Sequence, residues 1–192
     1  MKKLILTSAA VLIVSACSGG SDGGNAFAPA PTPEPPAPPP ANAMFDISVT
    51  NLTAAQPFSP VAVLITEAGN PAFVVGEAAS TGLEMLAESG DNSQLLADMN
   101  SISETSGESP LAPGADATFT LELDSSDPSG TELTVLTMLV NTNDAITGVQ
   151  GVNIGDLAVD GTMMMTGISY DSGTEANDEL AANIPGPAGG GE

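Results

Sequence analysis

The sequence predicts a mainly β domain over residues 44–192, interrupted by one or two short helices. Residues 45–50 (FDISVT) and 118–123 (TFTLEL) alternate apolar and polar side chains, which is typical of half-buried strands. Residues 61–65 (VAVLI) and 133–140 (LTVLTMLV) are apolar on both faces and predict inner strands. The stretch is long enough for one domain with its own hydrophobic core.

Two short helices are predicted after the first inner strand. Thr81 and Glu84 have the spacing of a capping box, and Gly90 is typical of a helix end. Asp91 and Gln94 have the same spacing and predict the start of a second helix. Apolar residues follow at helical spacing in both stretches: Leu83, Leu86, Ala87, Leu95, Leu96 and Met99.

The remaining stretches of the domain are predicted as turns, loops or core filler. Residues 124–132 (DSSDPSGTE) have the composition of a turn, and the Ser/Gly/Pro-rich residues 101–116 that of a loop. Residues 163–165, three consecutive methionines, predict a flexible apolar strand or core filler. Core filler fits three adjacent methionines better than a copper site does.

Residues 1–16 resemble a bacterial lipoprotein signal peptide. Met1–Lys3 is a short positive region, and the apolar stretch 4–14 is too short to span a bilayer as a helix. Small residues then precede Cys17, the only cysteine of the chain. We expect Cys17 to become a diacylated N-terminus that anchors the protein in the cell envelope, at the outer membrane or cell surface. The alternative is an ordinary secretory signal with an incidental cysteine.

Residues 17–43 are predicted to form a disordered linker after the anchor. Residues 18–28 are rich in Gly, Ser and Ala, a flexible composition. Residues 29–40 (PAPTPEPPAPPP) predict a polyproline II stalk about 35 Å long, at roughly 3 Å per residue. A PxxP ligand for a partner is the alternative interpretation of the same stretch.

The charge composition excludes several functional classes. The chain has Lys+Arg 2 against Asp+Glu 24 and no histidine, and its basic residues are Lys2 and Lys3. Binding to nucleic acid needs basic side chains, so it is excluded for the domain. Histidine relays and histidine zinc sites are excluded as well. One cysteine cannot form a disulfide within the chain.

Three acidic loops are candidates for a cation site: residues 124–132, 141–150 and 170–179. Oxygen-rich loops of Asp, Asn and Thr with Gly suit Ca²⁺, which takes six to eight oxygen ligands. None of them has the spacing of an EF-hand, and Asp, Asn and Gly are also the usual turn residues. With no Lys or Arg nearby, protons, solvent cations or a bound metal must neutralise clustered carboxylates.

Two of these loops resemble the spondin N-terminal domain family, in its bacterial branch. The matching stretches are TMLVNTNDAITGVQGVNIGD and ISYDSGTEANDELAANIPGPAGG. The helix stretch 80–90 (STGLEMLAESG) is also similar to that family, and the resemblance covers roughly residues 44–192. The residues that match in the two loops are Asn143, Asp144, Gly148, Val149, Tyr170, Asp171, Gly173, Thr174 and Glu175.

The resemblance implies a C2-like antiparallel β-sandwich with a Ca²⁺ ion at one edge. Its ligands would be Asp144, Asp171 and Glu122. A simple hairpin between Leu123 and Leu133 would hold Glu122 far from Asp144, so only a bend, a longer excursion or different sheets would bring the two together. The alternative for Glu122 is a solvent-facing residue of an amphipathic strand.

The chain departs from the family pattern in three places. Ala145 and Ile146 replace aromatic residues after the loop aspartate, and Gln150 replaces its second acidic position. The basic and apolar closing strand of the family has no counterpart before Glu192. Two alternatives follow: the sequence is a fragment of a longer chain, or the sandwich lacks its last strand and has an unpaired edge.

The function predicted from these features is non-enzymatic. We expect a cell-envelope lipoprotein that displays a calcium-binding domain for adhesion, with the membrane and an extracellular glycan or protein as partners. One alternative is a passive acidic structural or ion-buffering surface protein. The other is a carboxylate-dependent glycoside hydrolase, which the aromatic content (Trp 0, Tyr 1) disfavours.

Overall fold

Seven β-strands and two short α-helices make up the regular structure of residues 42–178, 180, 181 and 184, which the computed structural model describes. The strands are β1 (Ala43–Thr50), β2 (Ala62–Glu67), β3 (Ser103–Ser106), β4 (Asp116–Leu123), β5 (Thr131–Met138), β6 (Ala145–Asn153) and β7 (Ile168–Asp171). The helices are α1 (Thr81–Ser89) and α2 (Ser93–Asp98). The prediction of a mainly β domain with one or two short helices is confirmed.

All described residues belong to one compact unit of the chain, Pro39–Glu192. The signal peptide, Cys17 and the proline-rich stalk fall outside the described residues, and the expectations about them stay predictions. Within the described part, no helix is long and apolar enough to cross a membrane.

The strands form two antiparallel sheets. The larger sheet has the order β3-β2-β5-β6-β7, and β1 pairs with β4 in a two-stranded sheet that we call the ribbon. Along the ribbon, Ala43 pairs with Leu123 and Thr50 with Asp116. The ribbon packs on one face of the larger sheet, and the helices cover the other face.

The core therefore has two layers, one on each face of the larger sheet. Alternate residues of β2 pack into opposite layers, because successive side chains of a strand point to opposite faces. Ala62 and Leu64 pack with the helices, and Val63 and Ile65 pack with the ribbon. Burial on both faces explains why this strand is a continuous apolar run.

The strands on either side of residues 124–130 do not pair with each other. β4 pairs with β1, whereas β5 pairs with β2 and β6, so the connection crosses between the two sheets. Leu123 and Leu133 therefore do not close a simple hairpin, and the strands that contain them belong to different sheets. The reason is that β4 is amphipathic and suits an outer layer, whereas β5 is apolar on both faces.

The helix caps differ in detail from the predicted ones. The side chain of Ser80, not Thr81, accepts the N–H of Leu83 at 3.2 Å, so the cap of α1 lies one residue earlier. α1 ends at Gly90, which has the left-handed φ of 72° expected of a helix-ending glycine. Asn92, not Asp91, is at the N-cap position of α2. Its side chain makes no capping hydrogen bond to the helix and donates to the carbonyl of Pro60.

Candidate functional site

Asp144 and Asp171 lie at the same end of neighbouring strands. Asp144 immediately precedes β6, and Asp171 is the last residue of β7. Ala145 pairs with Asp171 across these strands, which puts the two aspartates next to each other at one end of the sheet. Asp144 is buried, with 2 % of its surface exposed, whereas Asp171 is exposed.

The Asp144 side chain fixes the loop that follows β7. Its Oδ2 accepts the backbone N–H of Thr174 at 2.9 Å and that of Glu175 at 3.2 Å. The backbone carbonyl of Asp144 accepts the Ser172 hydroxyl at 2.7 Å. Charge-assisted hydrogen bonds to backbone N–H groups are stronger than neutral ones, so this carboxylate is an anchor for the loop.

Asp171 orders the same loop from its other end. Its Oδ1 accepts the N–H of Gly173 at 2.9 Å, and its Oδ2 accepts the amide side chain of Asn177 at 2.7 Å. Gly173 has a φ of 69°, which this turn requires and glycine adopts at little cost. We call Asp144, Asp171 and the loop 172–178 the acidic corner.

The carboxylates of the acidic corner are engaged within their own loop. Both oxygens of Asp171 and Oδ2 of Asp144 already accept from N–H donors, whereas Ca²⁺ needs six to eight oxygen ligands around it. Among the described residues, no three carboxylate, histidine or cysteine side chains are grouped closely enough to hold a metal ion. Calcium binding stays a prediction.

Glu122, the third predicted ligand, lies on the ribbon. It is exposed on β4 opposite Met44, and its Oε1 accepts the side-chain amide of Asn42 at 2.9 Å. The structure therefore brings Asp144 and Asp171 together and places Glu122 on the other sheet. This environment matches the alternative of a solvent-facing residue on an amphipathic strand.

Glu175 is a feature of the acidic corner that the sequence did not single out as a site residue. Its Oε2 is shielded from solvent and has no hydrogen-bond partner in the described part of the chain. Burial raises the pKa of the Glu175 carboxyl above its ordinary value, and the charge of Glu88 adds to the shift. Asp144 and Asp178 act in the same direction. The local sequence does not indicate this shift of the pKa, because burial of the carboxyl depends on tertiary packing and Glu88 belongs to α1.

A groove opens between the ribbon and the larger sheet. Its volume is about 510 Å³, and β5 and β6 form its floor. One wall is β1, and the opposite wall is the segment 161–167. We call this opening the β1 groove. Much of its lining is apolar, including Phe45, Ile47, Val49, Val135, Val149 and Val152.

The wall formed by β1 is a strand edge that has no partner strand among the described residues. Asn51, the residue after β1, donates its N–H to the carbonyl of Ala115 at 3.0 Å, in the register of the ribbon. Hydrogen-bonded and non-hydrogen-bonded pairs alternate along an antiparallel ribbon, so the odd-numbered residues of β1 form the hydrogen-bonded pairs with β4. The N–H and C=O groups of the even-numbered residues then point away from β4. These groups have no hydrogen-bond partner in the described part of the chain: Met44, Asp46, Ser48 and Thr50.

The side chains of these even-numbered residues lie on the outer face of the ribbon. Thr120 donates to Asp46 at 2.7 Å, and Thr50 donates to Asp116 at 2.6 Å. The outer side chains are thus held by cross-strand contacts with β4. Only the backbone of β1 and its inward apolar side chains are directed to the groove.

The opposite wall contains the three methionines. Met163, Met164 and Met165 are 46 %, 90 % and 56 % exposed, so the prediction of a strand or core filler is wrong. Residues 162–166 form no backbone hydrogen bond with the described part of the chain. Both long walls of the β1 groove therefore have backbone groups available for pairing.

No protein-family model matches the chain, and no curated protein matches its sequence. The resemblance to the spondin N-terminal domain therefore rests on the loop and helix residues quoted for it. It stays a prediction, together with the calcium site that it implies.

Proposed function

We propose that this chain is a non-enzymatic, lipid-anchored binding domain of the bacterial cell envelope, and that the β1 groove is its binding surface. The observation that supports this best is an apolar groove of about 510 Å³ beside a strand edge that no described residue pairs with. Concave, mostly apolar openings with a few polar groups are where proteins bind ligands. Edge strands that remain uncovered pair readily with other chains.

The chemistry of the groove supports binding rather than catalysis. Its floor offers threonine hydroxyls and valine side chains, and residues 42–192 contain no Lys, Arg, His or Cys. A glycoside hydrolase would need two carboxylates facing one cleft. At the acidic corner, Asp144 and Asp171 accept hydrogen bonds from their own loop, which favours a structural role for both.

Attachment to the membrane is the second element of the proposal. It rests on the signal-like residues 1–16, on Cys17 and on the stalk, all outside the described residues. Acyl chains on Cys17 would hold the domain at the envelope surface. Cys17→Ser is expected to release the protein from the membrane fraction, and retention of the variant would contradict lipid anchoring.

The experiment that tests the groove uses an uncharged apolar dye, Nile red, with the full chain carrying Cys17→Ser so that no lipid competes. We expect saturable binding that Val149→Trp weakens by about tenfold, since the larger side chain fills the floor. Val75→Trp is the matched control, because Val75 is 75 % exposed and does not line the groove. Absence of saturable binding, or equal loss in both variants, would overturn the groove as a binding surface.

A passive acidic surface protein is the competing function, supported by the net charge of −22. Such a protein needs no specific groove, and its interactions with cations would be screened by salt. It would bind Nile red no better than unrelated acidic proteins. The dye experiment therefore separates the two functions.

A further inference from the structure

We propose that the occupant of the β1 groove is an extended strand of a partner protein, which pairs with the free edge of β1 and carries Lys or Arg on its outer face. This inference rests on the proposed function, that the groove is a binding surface, and names the class of partner. Addition of a strand to an open sheet edge is an established mode of peptide recognition.

The backbone of β1 distinguishes a strand from an acyl chain or another apolar molecule. An apolar molecule would cover the floor of the groove and exclude water from the edge of β1. The N–H and C=O groups of Asp46 and Ser48 would then be shielded without partners, which is costly. A strand covers the floor with every second side chain and satisfies these groups with its own backbone.

The dimensions of the groove walls suit a strand. The edge of β1 from Met44 to Thr50 is about 20 Å long at roughly 3.3 Å per residue, the length of a typical strand. The segment 162–166 lines the same groove, and its backbone groups form no backbone hydrogen bond to other described residues. Met163 and Met165 line this wall, and their flexible side chains can adapt to different inserted residues.

Charge argues for a basic partner and against a second copy of this chain. The outer face of the ribbon carries exposed carboxylates, among them Asp46, Asp116 and Glu122. No Lys or Arg occurs in residues 42–192, so a second copy would bring carboxylates together without a counter-charge. Of these carboxylates, Asp46 is on β1 itself, so Lys or Arg on the outer face of an added strand would lie directly beside it. Asp116 and Glu122 are on β4, one strand further away, and add to the negative potential of the same face.

The two proline-containing stretches outside the described residues are poor candidates for the occupant by their composition. Residues 29–40 contain a proline at most positions, and residues 185–192 begin Pro-Gly-Pro. Proline lacks the N–H that an added strand needs. The inference therefore commits to a strand of another protein as the occupant.

The test uses blocked, fluorescently labelled peptides of about seven residues, the length of a typical strand. One alternates Lys and Val, a second replaces every Lys by Glu, and a third is the Lys/Val peptide with N-methyl groups on alternate amides. The protein is the full chain carrying Cys17→Ser, and the readout is fluorescence anisotropy. We expect the Lys/Val peptide to bind at least about tenfold more tightly than either of the others.

A pair of protein variants tests the edge itself. Ser48→Pro removes one free N–H from β1 but keeps the ribbon, because that N–H points away from β4. Ser48→Ala is the matched control, since it loses the side-chain hydroxyl and keeps the N–H. We expect Ser48→Pro to weaken binding of the Lys/Val peptide by about tenfold and Ser48→Ala to leave it unchanged. If Ser48→Pro does not fold, the N-methylated peptide makes the same test on the unchanged edge.

The outcomes separate this inference from the proposed function. Loss of peptide binding on N-methylation supports strand pairing. Unlabelled peptides are also tested for displacement of Nile red in a competition experiment. If Nile red binds in the groove but no peptide binds or displaces it, the partner strand is overturned and the groove remains a binding surface. Equal affinity for the Lys/Val and Glu/Val peptides overturns the basic partner. Equal competition by N-methylated and unmodified peptides overturns strand pairing in favour of an apolar ligand.

Discussion

The Oδ2 atom of Asp144 and the backbone N–H of Thr174 lie 2.9 Å apart in a hydrogen bond that ties the turn before β6 to the loop after β7. Glu175 donates a second N–H to the same oxygen. A buried carboxylate thus organises a loop that has no regular structure of its own. This arrangement makes Asp144 a structural residue of the acidic corner whether or not a cation binds there.

Replacement of Asp144 should destabilise the domain. Asp144→Ala leaves the N–H groups of Thr174 and Glu175 without their acceptor, at a cost of about 1–3 kcal/mol. Asp144→Asn keeps one acceptor oxygen and should cost less. Urea denaturation measures both variants against the wild type. Equal stability of Asp144→Ala and the wild type would mean that the carboxylate does not anchor the loop.

The predicted calcium site at Asp144 and Asp171 can be tested by the effect of Ca²⁺ on stability. If Ca²⁺ binds the native state at this corner, a concentration of about 100 times its Kd should stabilise the domain by about 2.7 kcal/mol. Asp144→Ala and Asp171→Ala should each abolish the rise in Tm. A rise that survives in both variants would place the ion elsewhere. A melting curve that is the same with Ca²⁺ and with a chelator would contradict the calcium site that the resemblance implies.

Four strands were predictable from the sequence, β1 and β4 from alternating apolar residues and β2 and β5 from continuous apolar runs. β2 and β5 are apolar on both faces because helices cover one face of the sheet and the ribbon the other. β6 was not predicted, since Ala145–Asn153 contains Gly148, Gly151 and several polar residues. It forms because β5 and β7 pair with it on either side, a tertiary effect that local propensity does not contain.

The candidate site was predictable only in part. The resemblance singled out Asp144 and Asp171, and the pairing of Ala145 with Asp171 places them side by side. Their hydrogen bonds to the loop depend on side-chain orientation, which spacing does not specify. The β1 groove depends on which strands become neighbours, and a one-dimensional pattern does not contain that information.

The raised pKa of Glu175 predicts a dependence of stability on pH. The folded state binds this proton more tightly than the unfolded state, so stability falls as the pH rises from the ordinary value of 4.5 through the raised pKa. Glu175→Gln should remove this decline and raise the free energy of unfolding near neutral pH. Urea denaturation between pH 4 and pH 7 measures the difference.

A control is needed because loss of any negative charge reduces repulsion in this acidic chain. Glu77→Gln removes the same charge at an exposed position. Hydrogen bonds from Ser93 and Ser129 lower the pKa of Asp91 and Asp127. The contribution of these two carboxylates to stability is lost only as the pH falls through 3.8 and below, outside the range of this measurement. Identical pH profiles of Glu175→Gln and Glu77→Gln would contradict a special role for Glu175.

The position of the α1 cap predicts opposite outcomes for two adjacent substitutions. The Ser80 hydroxyl accepts the N–H of Leu83 at 3.2 Å, so Ser80→Ala leaves a helix-end donor unpaired and should cost about 1 kcal/mol. Thr81 is the first helical residue, where alanine is a better helix former, so Thr81→Ala should be neutral or slightly stabilising. Thermal unfolding of the two variants measures the difference. A larger loss for Thr81→Ala than for Ser80→Ala would restore the capping box that the sequence predicted, with Thr81 as the cap.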